Sequence, residues 1–140
     1  MKVSGDWVNH PGTQALCAAL AAAGYRALFV GGCVRNALLG VPVADIDIAT
    51  DALPEIVSDI AQNAGFRVIP TGIEHGTVTV LAQGALHEVT TFRRDVETDG
   101  RRAVVAFSTA VEEDAARRDF TMNALYATAD GTVLDPLGGL

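Results

Sequence analysis

A chain of 140 residues, 49% apolar and 19% charged, has the make-up of a single folded domain with a real core, which argues against a disordered tail or a multidomain assembly. Its formal charge of −7 at pH 7 argues against a self-sufficient nucleic-acid binder, which carries a basic footprint. A polynucleotide substrate would then meet its phosphate contacts through a divalent cation, a few local arginines or sequence outside the chain.

The first nine residues lack the basic start and apolar middle of a secretory signal, and no apolar stretch is long enough to span a bilayer. Cys17 and Cys33 form no CxxC pair and have no histidine at ligand spacing. A cytoplasmic protein without disulfide, zinc or membrane partner is expected.

Residues 10–24 predict an N-terminal helix, opened by Pro11 and Thr13, alanine-rich throughout and stopped by Gly24. Residues 25–30 are an apolar run of strand length that enters Gly31-Gly32. A short helix over 33–39 ends at Gly40, and a strand over 43–49 follows Pro42. Residues 51–64 predict a second long helix, with Thr50 or Asp51 as its cap, Pro54 early and Ile56, Val57 and Ile60 as its apolar stripe. Three short β-branched strands are expected at 66–70, 77–82 and 87–92. Residues 93–102, RRDVETDGRR, predict a mobile, solvated loop, and residues 104–107 one more strand. A helix over 111–123 comes next, then a hairpin of 125–129 with 132–134 around Asp130-Gly131.

The chemistry gathers in residues 28–50, LFVGGCVRNALLGVPVADIDIAT. The period of two along the strand at 43–49 sets Asp45 and Asp47 on one face and turns Ile46 and Ile48 into a core. Two carboxylates two residues apart repel each other unless a cation neutralises them, and hard oxygen ligands of this kind suit Mg²⁺ beside substrate phosphates. Upstream, Gly31 and Gly32 let backbone amides approach an anion, and Arg35 adds charge-assisted hydrogen bonds to a phosphate. Together the turn and the acids describe a place for a triphosphate beside its metal.

Glu88, on the strand HEVTTF, completes a three-acid metal site if that strand lies next to the aspartate strand; otherwise it is an exposed edge residue. Two ions held there would activate an attacking hydroxyl and stabilise a leaving pyrophosphate in an in-line displacement. Arg117, Arg118, Asp119 and Asn123 form a third group, with Asp119 and Asn123 on one helix face. Arg118 can pair with phosphates, and Asp119 and Asn123 with ribose hydroxyls; in isolation the same pattern reads as an amphipathic helix with salt bridges. His10 reads as a helix-start residue. His75 and His87 are expected to have no catalytic part, because the displacement needs positioning and electrostatics more than a histidine base.

Three ordered blocks carry a resemblance. LFVGGCVRNALLGVPVADIDIAT is similar to a Gly-Gly-x-Val-Arg-Asp…Asp-x-Asp block, EVTTFRRD to the strand and flexible loop after it, and RRDFTMNALY to an Arg-Arg-Asp-x-Thr-x-Asn-Ala block. The chain thereby resembles the N-terminal head domain of the class II tRNA nucleotidyltransferase (CCA-adding enzyme) and bacterial poly(A) polymerase family, over nearly all of its length from Leu28. The resemblance implies an α/β (α+β) polymerase-β-type nucleotidyltransferase fold, a mixed sheet flanked by helices. It implies that Asp45 and Asp47 bind Mg²⁺ in a two-ion site, with Glu88 as third catalytic carboxylate. Gly31, Gly32 and Arg35 would meet the triphosphate of ATP or CTP, and Arg118, Asp119 and Asn123 its phosphate and sugar, so a ribonucleotide is preferred.

Asn36 departs from the family's aspartate, leaving a neutral residue where an arginine could have found an acid. The family selects its base with a Glu-Asp-x-x-Arg block in the neck and grips tRNA with neck, body and tail. None of these is in the 140 residues, and the closing DPLGGL resembles the passage from head to neck, so a head truncated before the neck is expected. An acidic head then need not hold the RNA 3′ end alone. The expected activity is template-independent addition of CMP and AMP to tRNA, with poly(A) addition second. A small-substrate nucleotidyltransferase and an inactive nucleotide-binding fragment are the rivals; the first is not expected to carry RRDFTMNA.

Overall fold

The computed structural model describes residues 3, 5–40, 46–69, 76–98, 102–118 and 124–136, and the side chains of these except 94–98 and 102–105. In chain order the elements are α1 (Asp6–Asn9), α2 (Pro11–Ala22), β1 (Leu28–Val30), α3 (Gly32–Leu38), β2 (Ile46–Thr50), α4 (Pro54–Asn63), β3 (Arg67–Ile69), β4 (Thr77–Ala82), β5 (Ala85–Thr91), β6 (Arg93–Thr98), β7 (Arg102–Phe107), α5 (Val111–Ala116), β8 (Tyr126–Ala127) and β9 (Val133–Leu134).

Among the described residues, seven strands form one mixed sheet in the order β3-β4-β5-β2-β1-β8-β9, with β2 and β5 parallel and the other neighbours antiparallel. The period of two holds along the central strands. Val78, Val80 and Ala82 of β4 and His87, Val89 and Thr91 of β5 are buried, while Thr77, Thr79, Glu88 and Thr90 face the other way. On the first face, α2 contributes Leu16 and Leu20, α4 contributes Val57 and Ala61, and these pack on Phe29, Ile48, Val78, Val80 and Val89. Each fully buried Val, Leu, Ile or Phe among these contributes about 1.5–3 kcal/mol. On the opposite face a smaller cluster of Leu28, Val30, Ala49, Phe92, Val111, Ala115, Ala124 and Tyr126 seats α5. Among the described residues, that second cluster fills only part of its face.

Most predicted elements form, with instructive differences. His10 caps α2, its Nδ1 accepting from the Gly12 amide at 3.1 Å. Neither Thr50 nor Asp51 caps α4. The cap is Leu53, with Pro54 in the first turn, while Thr50 Oγ1 accepts from the Ala52 amide at 3.2 Å and Asp51 Oδ1 from the Arg26 amide at 2.8 Å. Both side chains are spent on the turn before the helix. The short α1 was not foreseen; Gln14 Nε2 fastens it by donating to the carbonyls of Val8 and Ala129 at 2.6 and 2.7 Å.

Residues 93–102 are not a loop in their described part. β6 pairs antiparallel with β7 as a separate two-stranded ribbon, Arg93 opposite Phe107 through Thr98 opposite Arg102. Charge content did not decide the backbone state, and the apolar run before Ser108 supplies β6 with a partner. The helix expected over 111–123 stops at Ala116, where Arg118 N–H bonds back to Ala115 O at 3.1 Å. The hairpin at Asp130-Gly131 forms as expected, with Gly131 at φ 92° and a 2.9 Å bond from Thr128 N–H to Thr132 O.

His87 is fully buried between α2 and the sheet. Its Nδ1 lies 3.2 Å from Val80 O, so Nδ1 carries the proton, and Nε2 accepts from Thr13 Oγ1 at 2.7 Å. Cys17 and Cys33 are free and buried, and burial pushes the Cys17 thiol up to about 12. No helix among the described residues is long and apolar enough to cross a membrane.

Candidate active site

The parallel pairing of β2 with β5 sets Asp47 directly beside Glu88. In a parallel ladder, paired residues share a face. Since Ile46 and Ile48 point to the α2/α4 core, both carboxylates point away from it, into a cleft of about 580 Å³. The same cleft is lined by Gly31, Gly32 and Arg35 from the β1–α3 turn, by Thr77 and Thr90, and by Arg93, Arg117 and Arg118. Thr77 and Thr90 are cross-strand partners whose hydroxyls lie 3.0 Å apart.

Gly31 has φ 73°, and a Cβ built on it would meet nothing within 4 Å, so glycine keeps the turn unstrained and leaves the cleft open there. Arg35 lies one turn into α3, its amide bonded to Gly31 O at 3.0 Å and its Nε donating to Asn36 Oδ1 at 3.3 Å. The neutral Asn36 thus still offers Arg35 an oxygen, without an acid's charge.

Among the described lining residues, four arginines stand with two carboxylates in a chain of net charge −7. Behind the arginines stands Asp114 of α5, only 1% exposed. Its Oδ2 accepts from Tyr126 Oη at 2.6 Å and from Arg118 at 3.1 Å, with Arg118 Nε 3.4 Å away. Its Oδ1 accepts from the Arg93 amide at 2.9 Å and lies 3.5 Å from Arg117 Nε. Burial by itself would lower the Arg118 pKa, but Asp114 and Tyr126 outweigh it and the guanidinium ends above its usual range. Burial, then the neighbouring Asp114 carboxylate, push the Tyr126 phenol well above its ordinary value.

Of the residues singled out from sequence, the cleft brings together Gly31, Gly32, Arg35, Asp47, Glu88, Arg117 and Arg118. Asp45, Asp119 and Asn123 lie outside the described residues, as do His75 and the final GGL. His87 points to the opposite face, into the core. Sequence reasoning gave no part to Thr77, Thr90, Arg93, Asp114 or Tyr126. Asp114 had a signal, standing three and four residues before Arg117 and Arg118, the helical spacing for ion pairs. Arg93 had none: it reaches the cleft because the chain leaves the main sheet at Phe92, whose N–H bonds Thr50 O and whose carbonyl accepts from Ser108 N–H.

The described lining offers carboxylate, hydroxyl and guanidinium groups and no thiol or imidazole. Asp47 and Glu88 are hard oxygen donors side by side, a set that fits Mg²⁺ and does not fit a soft metal. With arginines opposite, the arrangement can take a polyanion that brings a divalent cation with it.

Comparison with known proteins agrees with this geometry. Residues 27–140 match the family described as Poly A polymerase head domain. The CCA-adding enzyme of Geobacillus thermodenitrificans (strain NG80-2) is 49% identical over 118 residues, covering 83% of this chain and 28% of its own length. The crystal structure of the Bacillus stearothermophilus CCA-adding enzyme in complex with CTP aligns with a TM-score of 0.77 at 46% identity, over 91% of this chain and 30% of that one. A tRNA nucleotidyltransferase complexed with a primer tRNA and an incoming ATP analog aligns with a TM-score of 0.68 at 30% identity, over 89% of this chain and 35% of that one. The chain spans 28% to 30% of the length of the curated relatives it matches. The mixed sheet with flanking helices is the polymerase-β-type nucleotidyltransferase fold anticipated from sequence.

Proposed function

The chain belongs to the Poly A polymerase head-domain family, and on that premise we propose that it is the catalytic head of a template-independent RNA 3′-end nucleotidyltransferase. It transfers CMP and AMP from CTP and ATP to tRNA, completing a CCA end. The observation that carries this reading is the pairing of Asp47 with Glu88 in one cleft with four arginines. The names of the relatives, CCA-adding enzymes of about half-identical sequence over this stretch, support the choice of substrate.

Asp47 and Glu88, with Asp45 from the same strand pattern, would hold Mg²⁺. That ion, when bound, lowers the pKa of the attacking 3′-hydroxyl and neutralises charge on the leaving pyrophosphate. Arg35, with the Gly31-Gly32 turn beside it, receives the triphosphate. Arg118 adds charge-assisted hydrogen bonds to a phosphate, and Asp119 and Asn123 bond the ribose hydroxyls, which favours a ribonucleotide. The 3′-hydroxyl of the RNA attacks the α-phosphorus, and pyrophosphate leaves on the opposite side. These residues hold and orient the reactants, which is most of what phosphoryl-type transfer asks of a protein.

Base selection and most of the grip on tRNA belong, in this reading, to neck, body and tail segments outside the 140 residues. A cytoplasmic site of action goes with the two free, buried thiols. Poly(A) addition is the second reading, favoured by the description of the matching family itself.

The test is incorporation of labelled CTP and ATP into a tRNA ending before CCA, with Mg²⁺. It is run with this chain and with any longer product of its gene. Ordered addition of C, C and A supports the first reading. Long A-tracts select poly(A) addition, and no incorporation by either protein overturns both.

A further inference from the structure

We propose that Asp114 and Tyr126 form a buried positioning pair that presets the cleft's arginines, holding Arg118 toward the nucleotide and tying the base of the β6–β7 ribbon to the same point. The nucleotide is that of the function proposed above, on which this part of the inference rests.

A carboxylate as buried as Asp114 is tolerated only when its charge is answered nearby. The answer here comes from three consecutive-in-space partners that all line the cleft: the Arg93 amide at 2.9 Å, Arg117 Nε at 3.5 Å and Arg118 at 3.1 Å. An acid serving only to stabilise α5 would have no reason to collect residues from β6 and from beyond the helix end. Asp114 does so because Oδ1 and Oδ2 divide the work. Oδ1 takes Arg93 and Arg117, and Oδ2 takes Arg118 and the Tyr126 hydroxyl.

Tyr126 is fully buried, and its hydroxyl does two things that no apolar residue can. It donates to Asp114 Oδ2 at 2.6 Å and accepts from Arg118 Nε at 3.3 Å. The Arg118 guanidinium carbon also stands 5.7 Å from the Tyr126 ring centroid. Nε and one terminal nitrogen of Arg118 are thereby fixed from behind, and the planar fork has its second terminal nitrogen to present to a phosphate. With the rotamer settled before binding, a nucleotide need not supply the ordering of that long side chain. The residues act through Arg118 and touch no substrate themselves.

The experiment compares Asp114→Asn and Tyr126→Phe with the unsubstituted 140-residue chain. The Arg118 Nε–H resonance, assigned by its loss in Arg118→Lys, reports hydrogen exchange at the guanidinium. Titration with MgATP reports affinity, and thermal midpoints with backbone amide spectra report the fold. Tyr126→Phe keeps ring and volume, so the fold is retained even where Asp114→Asn fails to fold. The expected result is a protected Nε–H in the unsubstituted chain whose exchange accelerates about tenfold or more in the variants, with the ATP dissociation constant rising about tenfold in Asp114→Asn and less in Tyr126→Phe. Backbone spectra stay superimposable, which a purely structural role of Tyr126 would not combine with a loss of affinity.

A protected Nε–H in both variants overturns the positioning pair. Faster exchange with unchanged ATP affinity overturns its link to the nucleotide. Absence of ATP binding by the unsubstituted chain, with exchange responding as expected, overturns the nucleotide reading and supports the positioning of Arg118.

Discussion

Asp47 and Glu88, far apart in sequence, are direct neighbours across the parallel pairing of β2 with β5. Nothing in their own charges draws them together. The backbone ladder between β2 and β5 holds them side by side, and Ile48 and Val89 on the reverse face lock the register by their burial. Two like-charged oxygen donors held side by side by the scaffold suit the divalent cation proposed above.

Asp47→Asn and Glu88→Gln should therefore each abolish Mg²⁺-dependent nucleotide incorporation while leaving the fold intact. Glu88 is exposed and Asp47 half-buried, and neither belongs to a core cluster. The stability change should stay within about 0.5 kcal/mol. Incorporation assays beside urea unfolding check both halves, and unchanged incorporation in either variant would remove that residue from the metal site.

Arg118→Ala should weaken ATP binding by about 1.5–3 kcal/mol, the worth of a charge-assisted hydrogen bond. Part of any accompanying loss of stability comes from Asp114, which would keep Tyr126 and Arg117 but lose its 3.1 Å ion pair. Isothermal titration with MgATP measures the first effect, and an unaltered dissociation constant counts against the residue's assigned role.

Gly12→Ala should destabilise the chain by about 1–3 kcal/mol through overpacking. A Cβ at Gly12 would sit 2.2 Å from the Ala82 carbonyl oxygen, so α2 would have to lift off the end of β4. Gly32→Ala makes the contrast: its Cβ would stand 3.5 Å from the tip of Arg35, an ordinary contact, and the fold should hold. Urea midpoints of the two variants should differ accordingly.

His87 makes stability fall in mild acid. Burial, with His10 adding to it, lowers the imidazole's pKa below the ordinary 6.5. The unfolded chain therefore takes up a proton near pH 6.5 that the folded chain accepts only at lower pH. Stability from this group is complete above about pH 6.5 and is lost as pH falls through and below that value toward the depressed folded pKa. Urea unfolding between pH 7.5 and 5.5 should show a steeper loss in the native chain than in His87→Gln, and parallel curves would contradict the buried neutral imidazole.

What the sequence determined by itself was local. The period of two that turns Ile46 and Ile48 inward and Asp47 outward, the start of α2 at His10-Pro11, and the Asp130-Gly131 hairpin each depend on residues within a few positions of one another. Period, cap and turn are short-range physics and can be read along the chain. The tertiary structure alone decided which strand stands beside which, and hence that Glu88 sits next to Asp47 on an interior strand and not on an edge strand. It also ended α5 at Ala116, gave β6 its partner in β7 and drew Arg93, Arg117, Arg118 and Tyr126 onto Asp114. Those outcomes follow from burying surfaces and charges that meet only after the chain has closed on itself, where the cost of an unanswered buried carboxylate selects the partners.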